Sequence, residues 1–191
     1  MAKSDIQKLK KELAKELDSK RYEHTLGVAY TAACLAMRYD LDMNRAYIAG
    51  LLHDCAKCMT HEERLRYCQK HDLEVTEIEK QNPALLHAKV GAEMCRHKYD
   101  IKDEEICSAV RFHTTGRPAM TLLEKIIFIA DYLEPNRDEA EDLPIVRKQV
   151  FCDLDEALCT ILKDTLLYLE GSDKVIDPMT LQTYEFYINQ E

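Results

Sequence analysis

Glycine and proline are scarce in this sequence, five of each in 191 residues. A sheet of many strands needs turn after turn built from such residues, so a many-stranded fold is excluded. Long apolar runs are missing as well. No stretch reaches the length that crosses a bilayer, and the opening MAKSDIQKLKKELAKEL begins with charge and lacks the apolar run of a signal peptide. A cytoplasmic protein with no membrane partner is expected. Positive charge is also in short supply: 26 Lys and Arg stand against 35 Asp and Glu, a net charge of -9. Such a chain repels a phosphate backbone, which argues against sequence-independent nucleic-acid binding. It leaves room for a local cationic pocket that takes a small polyphosphate.

What is present fits a folded enzyme. Hydrophobic residues make up 46% and charged residues 32%, an ordinary globular balance. The length suits one sizeable core, so residues 1–191 are read as a single domain. Apolar residues recur close to every 3.6 positions almost throughout, and the expected fold class is therefore all-α. Ile6, Leu9, Leu13 and Leu17 make one stripe behind a Ser4 or Asp5 cap. A second helix carries His24, Val28, Ala32 and Leu35 and ends near Asp40. A third runs from about Asn44 and delivers His53 and Asp54 at its C-terminal end. Thr60 with Glu63 reads as a capping box opening a short surface helix. Pro83 suits a first helical turn, predicting a helix of roughly fifteen residues with His87 near its start. Asp103 to Phe112 form another helix ending at His113, and Glu124 to Leu133 an apolar one that contains Asp131. A long helix around Phe151 to Tyr168, a loop at Glu170 to Asp177 and a last helix after Pro178 complete the chain.

Eight cysteines in a chain without a secretion signal should be reduced thiols. Cys55 and Cys58 form a C-x-x-C, which suits a redox pair or half a zinc site, but no second C-x-x-C exists. Cys34, Cys95, Cys107 and Cys159 sit among apolar residues at helical spacing and read as packing.

The chemistry concentrates elsewhere. His53-Asp54 ends the apolar segment AYIAGLLHD, and two adjacent ligands alone are weak evidence. His24, His87, His113 and Asp131, however, each fall on a different predicted helix among apolar or small neighbours. Imidazole and carboxylate groups at such places are costly to bury unless paired or bound to metal. A single histidine on an amphipathic helix is more often structural, and Asp131 could instead pair with Lys125 or Arg137. His61, His71 and His97 lie among charged neighbours and are assigned to solvent. The ligand set, imidazole plus carboxylate without thiolate, suits iron, manganese, zinc or nickel better than calcium or magnesium. Six protein ligands exceed what one open catalytic ion needs. Two divalent metal ions about 3.5 to 4 Å apart would use them all, with Asp54 as candidate bridge and a shared hydroxide as nucleophile.

The order H…HD…H…H…D resembles the HD superfamily of metal-dependent phosphohydrolases, and the words RYEHTLGV, AGLLHDCAK, LLHAKVGA, FHTTGRP and EKIIFIADYLEPNR are similar to its YqeK-type hydrolases. The resemblance runs from Arg21 to Arg137. It implies a helical HD bundle with a core at about 21–137 completed by helices over 144–191. It also implies iron as the metal and symmetrical cleavage of diadenosine tetraphosphate to two ADP. Carried over position by position, it makes His24, His53, Asp54, His87, His113 and Asp131 the ligands, with His53, Asp54 and Lys57 central to catalysis. Lys57 and Arg137 become the cations that hold the polyphosphate, joined in the nucleotide site by Arg21, His24, His113 and Thr114. A surface ion pair of Arg137 with Glu134 or Asp138 is the plainer alternative. Gly116 would let the backbone approach phosphate. Gly171 to Thr180, including Gly171 and Ser172, resembles the segment that closes over the nucleotide, although Tyr184 and Glu185 depart from the usual residues there.

The expected partner is thus a small nucleotide, a dinucleoside polyphosphate yielding ADP or GDP. The resemblance is compatible with a homodimer, which no heptad in the sequence requires. Two other readings stay open. The same centre could act on an alarmone, a nucleoside monophosphate or a cyclic nucleotide, or the bundle could be a non-catalytic nucleotide-binding module, which the loss of a ligand would have favoured.

Overall fold

The computed structural model describes residues 3–138, 140, 142–171 and 176–189. Among them are eleven α-helices and no strand. In chain order these are α1 (Lys3–Glu16), α2 (Ser19–Arg38), α3 (Met43–Leu52), α4 (His61–Lys70), α5 (Glu77–Gln81), α6 (Leu86–His97), α7 (Glu104–Phe112), α8 (Leu122–Leu133), α9 (Leu143–Gln149), α10 (Leu154–Glu170) and α11 (Pro178–Ile188). A 3-10 turn over Pro83–Leu85 precedes α6. None of these helices is long and apolar enough to cross a membrane.

The starts of the helices follow from short polar side chains that take up otherwise unpaired N–H groups. Asp18 accepts from Arg21 N, Asp42 from Asn44 N and Arg45 N, and Asp153 from Asp155 N and Glu156 N. Full capping boxes open α4 at Thr60–Glu63, α5 at Thr76–Glu79 and α8 at Thr121–Glu124.

The centre of the bundle is α2 packed on α3 and α8, with α7 laid against α6 and α8. Leu35, Leu51, Leu52, Leu123, Ile126 and Ile127 are fully buried there. Gly50 is what lets α3 come so near α2: a Cβ at that position would lie 2.7 Å from Ala29 Cα, a backbone atom that cannot yield. That close approach places His24 of α2 beside the end of α3. Helix α10 packs on α8, α9 and α11.

The structure differs from the sequence expectation in four places. Helix α1 begins at Lys3, so positions 4 and 5 lie within its first turn rather than before it. The helix predicted from Pro83 is split, because Pro83 initiates the 3-10 turn and α6 proper starts at Leu86. Phe151 and Cys152 form a turn, since the Asp153 cap starts α10 three residues later than the apolar pattern implies. The short helices α5 and α9 were not anticipated; five and seven residues are too few to show a period.

Candidate metal centre

Every candidate ligand reaches the centre from a helix end or near one. His24 stands in the second turn of α2. His53 is the C-cap of α3 and Asp54 follows it in the turn. His87 is in the first turn of α6, His113 caps the C-terminus of α7, and Asp131 lies in the last turn of α8.

Three of the histidines are held alike. Nδ1 of His53, His87 and His113 donates to the carbonyl three residues earlier, those of Gly50 (2.7 Å), Ala84 (2.6 Å) and Val110 (2.7 Å). A carbonyl can only accept, so each ring carries its proton on Nδ1 and turns the Nε2 lone pair inward when neutral. His24 is held by a carboxylate instead, with Nδ1 3.1 Å from Glu134 Oε1. Such an outer partner fixes the tautomer and orientation of a metal-binding imidazole.

The Nε2 atoms converge as two pairs, His24 with His53 at 3.3 Å and His87 with His113 at 3.1 Å. Asp54 stands between the pairs. Its Oδ2 lies 3.5 Å from His53 Nε2 and 3.9 Å from His24 Nε2, and its Oδ1 lies 3.3 Å from His87 Nε2 and 3.5 Å from His113 Nε2. Asp131 Oδ1 completes the first pair, 3.0 Å from His24 Nε2 and 3.8 Å from His53 Nε2. Asp54 Oδ1 is buried and has no hydrogen-bond partner among the described residues, with Lys57 Nζ standing off at 3.7 Å, an arrangement that is costly for a carboxylate unless a cation meets it closely. Converging imidazole lone pairs around an unsatisfied carboxylate oxygen fit a divalent cation.

The protonation states agree with that fit. Burial pushes His53 and His87 down to about 4, keeping both rings neutral. Burial would raise Asp54, but His53, His113 and His87 outweigh it and hold the carboxyl well below the usual carboxylate range. Asp131 is likewise pulled down by His24 and His53 against the effect of burial. His24 is the exception: burial lowers it, yet Asp131, Glu134 and Asp54 together raise it.

Cations ring this cluster. Arg21 Nη1 donates to Asp54 Oδ2 at 2.7 Å. Lys57 Nζ lies 3.1 Å from His87 Nε2 and 3.7 Å from Asp54 Oδ1. Arg137 Nη2 donates to Asp131 Oδ1 at 3.3 Å, while Glu134, its alternative partner, is committed to His24, and Lys125 pairs with Asp155. All three cations remain partly exposed. Thr114 Oγ1 stands 3.2 Å from Nε2 of both His87 and His113.

Other expected contributors are placed differently. Gly171 ends α10, exposed, with its N–H bonded to Leu167 O in its own helix rather than turned to the cluster. Ser172 lies outside the described residues. Gly116 has the positive φ (63°) that favours glycine, but the space left by its missing Cβ is filled by Thr183 of α11. Helix α11 docks there: Thr183 Oγ1 bonds Thr115 O at 3.1 Å, and Tyr187 accepts from Met120 N at 2.8 Å. Among the cysteines, Cys34 and Cys58 are exposed, Cys159 is half-buried and the C-x-x-C is not paired. His71 is half-buried, against a Tyr67 ring, rather than free in solvent. The residue that sequence reasoning missed is Glu134, whose one signal is its place in the same EPN segment that follows α8.

Fold and cluster together define an all-α protein with a buried histidine–aspartate centre able to bind metal. The chain belongs to the HD domain family, whose model matches residues 21–136. It is 39% identical over 174 residues to a Bacillus subtilis protein named bis(5'-nucleosyl)-tetraphosphatase, symmetrical, covering 91% of this chain and 92% of that one. A Halalkalibacterium halodurans protein of the same name is 43% identical over 168 residues, covering 88% and 89%. A solved Clostridium acetobutylicum structure, described as a predicted HD superfamily hydrolase involved in NAD metabolism, superposes with a TM-score of 0.93 at 36% identity, covering 97% of this chain and 98% of that one.

Proposed function

We propose that this chain hydrolyses diadenosine tetraphosphate symmetrically, adding water across the central phosphoanhydride to give two ADP. The carrying observation is Asp54, whose two oxygens each face one pair of histidine Nε2 atoms. That disposition supports a pair of divalent ions, iron first and manganese, zinc or nickel as alternatives, held by His24, His53, Asp54, His87, His113 and Asp131. Bound there, such ions supply an activated water and neutralise charge on the phosphoryl group.

The chain's own residues do the rest. Arg21 holds the shared carboxylate by its Oδ2. Lys57 and Arg137, partly exposed at the rim, offer cations to the bridging phosphates that an acidic chain must provide locally. Thr114 can donate its hydroxyl to a phosphate oxygen beside His87 and His113. The names of the Bacillus and Halalkalibacterium relatives support this substrate. The core at 21–137 supplies every candidate ligand, and the C-terminal helices act with it as one domain, α11 bracing the loop that follows His113. Eight cysteines with no disulfide among them suit the cytoplasm.

The test is chromatographic product analysis of iron-reconstituted protein with diadenosine tetraphosphate, beside a chelated sample and the Asp54→Ala variant. Two ADP per substrate, lost in both controls while helicity is kept, is the expected result. ATP plus AMP would overturn symmetrical cleavage, and full turnover by Asp54→Ala would overturn the metal assignment. No product would shift the substrate to another nucleotide.

A further inference from the structure

We propose that His71, Glu93 and His97 form a second metal site on the surface between α4 and α6, suited to a single zinc-class divalent ion and separate from the buried cluster. The site does not depend on the reading of the catalytic centre.

Local structure assembles it. Helix α4 ends with His71 as its C-cap, whose N–H bonds Tyr67 O and Cys68 O, and Asp72 then turns the chain with φ at 52°. The His71 ring is thereby carried toward α6. On α6, Glu93 and His97 are one turn apart, the spacing that puts two side chains on one helix face. Nε2 of His97 stands 2.8 Å from Glu93 Oε1. Arg96 Nη1 donates to the other carboxylate oxygen, Oε2, at 3.1 Å, which fixes the carboxylate and leaves Oε1 directed at the histidine. The His71 ring lies 5.2 Å from the His97 ring, and Tyr67 stacks behind it at 4.2 Å and 18°. Tyr67 therefore supports the ring plane while both His71 nitrogens stay without a side-chain hydrogen bond among the described residues.

One ligand atom from each residue lies within 4.8 Å of the other two. Bonds of about 2.0–2.2 Å in a tetrahedral zinc site set ligand atoms about 3.3 Å apart. Closing the site thus asks His71 to approach by no more than about 1.5 Å and the His97–Glu93 pair, 2.8 Å apart, to open by about 0.5 Å on that geometry, within the reach of side-chain adjustments on partly exposed residues. Two imidazoles and one carboxylate make a borderline donor set, poor for magnesium or calcium and good for zinc, nickel or copper(II). Water would take the fourth position. An ion there ties the C-terminus of α4 to α6, the helix whose first turn carries His87, and stabilises the folded chain increasingly as free zinc exceeds the dissociation constant of the site.

The experiment is equilibrium dialysis of the full chain against zinc with metal quantified per chain, for the wild type and for His97→Ala, His71→Ala and the control His61→Ala, which alters an exposed histidine elsewhere. The expected result is one equivalent fewer in His97→Ala and in His71→Ala, none lost in His61→Ala, and unchanged hydrolysis of diadenosine tetraphosphate in all. Equal zinc in wild type and His97→Ala would overturn the site. Loss in His97→Ala alone would reduce it to a two-residue contact on α6 and overturn the three-ligand proposal. Should His71→Ala not fold, the wild-type comparison with His97→Ala decides. Zinc content and nucleotide products are read separately, so either result can fail without the other.

Discussion

Glu134 Oε1 accepts the Nδ1 proton of His24 across 110 residues of sequence, at 3.1 Å and out of contact with solvent. Its other oxygen accepts from Asn136 N at 2.8 Å, so the carboxylate is anchored from both sides. It is the one outer partner among the four histidines that carries a charge, and it makes His24 a stronger donor to a cation than a carbonyl partner would.

Replacing that carboxylate should therefore weaken metal binding without disturbing the bundle. Glu134→Gln is expected to lower metal affinity about 10- to 100-fold, with unchanged helicity. A competition titration against a chelating dye reads the affinity. Binding as tight as wild type would show that His24 needs no charged support.

The C-x-x-C makes a contrasting case. Cys58 is exposed with its Sγ 3.5 Å from Asp18 Oδ2, and Cys55 is buried with its Sγ 3.7 Å from Gly91 O. Neither thiol is among the ligand atoms of the cluster, so Cys55→Ser and Cys58→Ser should each keep the full metal content. Elemental analysis of the purified variants checks this, and metal loss in either would bring thiolates back into the ligand set.

A buried ion pair outside the centre sets a stability test. Lys89 Nζ lies 2.5 Å from Glu79 Oε2 and 2.6 Å from Glu74 O, and both side chains are buried. Lys89→Met would leave the Glu79 carboxylate without its cation, which costs about 3–5 kcal/mol when one partner of a buried pair is removed. Urea unfolding of the metal-free chain measures the loss. A change below about 1 kcal/mol, the scale of a solvated surface pair, would mean that water replaces the cation.

These residues also show what could be read in the sequence and what could not. The six cluster residues stand out because imidazole and carboxylate groups among apolar or small neighbours are costly to bury unless paired or bound to metal, and because their order resembles the HD pattern. The Thr60–Glu63 box was legible from its spacing, and the same code stands at Thr76–Glu79 and Thr121–Glu124. Glu134 was not legible, because a glutamate after a helix looks like any solvent-facing residue until the chain folds and brings α2 beside it. The packing around Gly116 is hidden for the same reason: its backbone freedom is a local property, but the side chain that fills the space comes from Thr183, far along the chain. His71 and His97 looked like isolated polar residues, since 26 positions separate two rings that the packing of α4 on α6 sets side by side.

Acidification of the metal-free protein tests the electrostatics of the centre. His53 and His87 have folded values pushed down to about 4 by burial, against an ordinary value of 6.5. Between those limits the unfolded chain takes up protons that the folded chain refuses, so stability falls as pH drops from about 6.5 toward 4. The raised value of His24 acts in another window. Its contribution is complete below 6.5 and is lost only as pH rises through its folded value, so it cannot offset the fall. Asp54 and Asp131, both depressed, give up their contributions only as pH falls below about 3.8. His53 and His87 should thus each add at most about 1.4 kcal/mol per pH unit to the slope. The melting temperature of chelated protein is expected to decline steadily from pH 6.5 to 4.5, and more gently in His87→Ala. A melting temperature that stays flat over that window would mean that the two rings are already protonated in the fold, which a metal-ready centre does not allow.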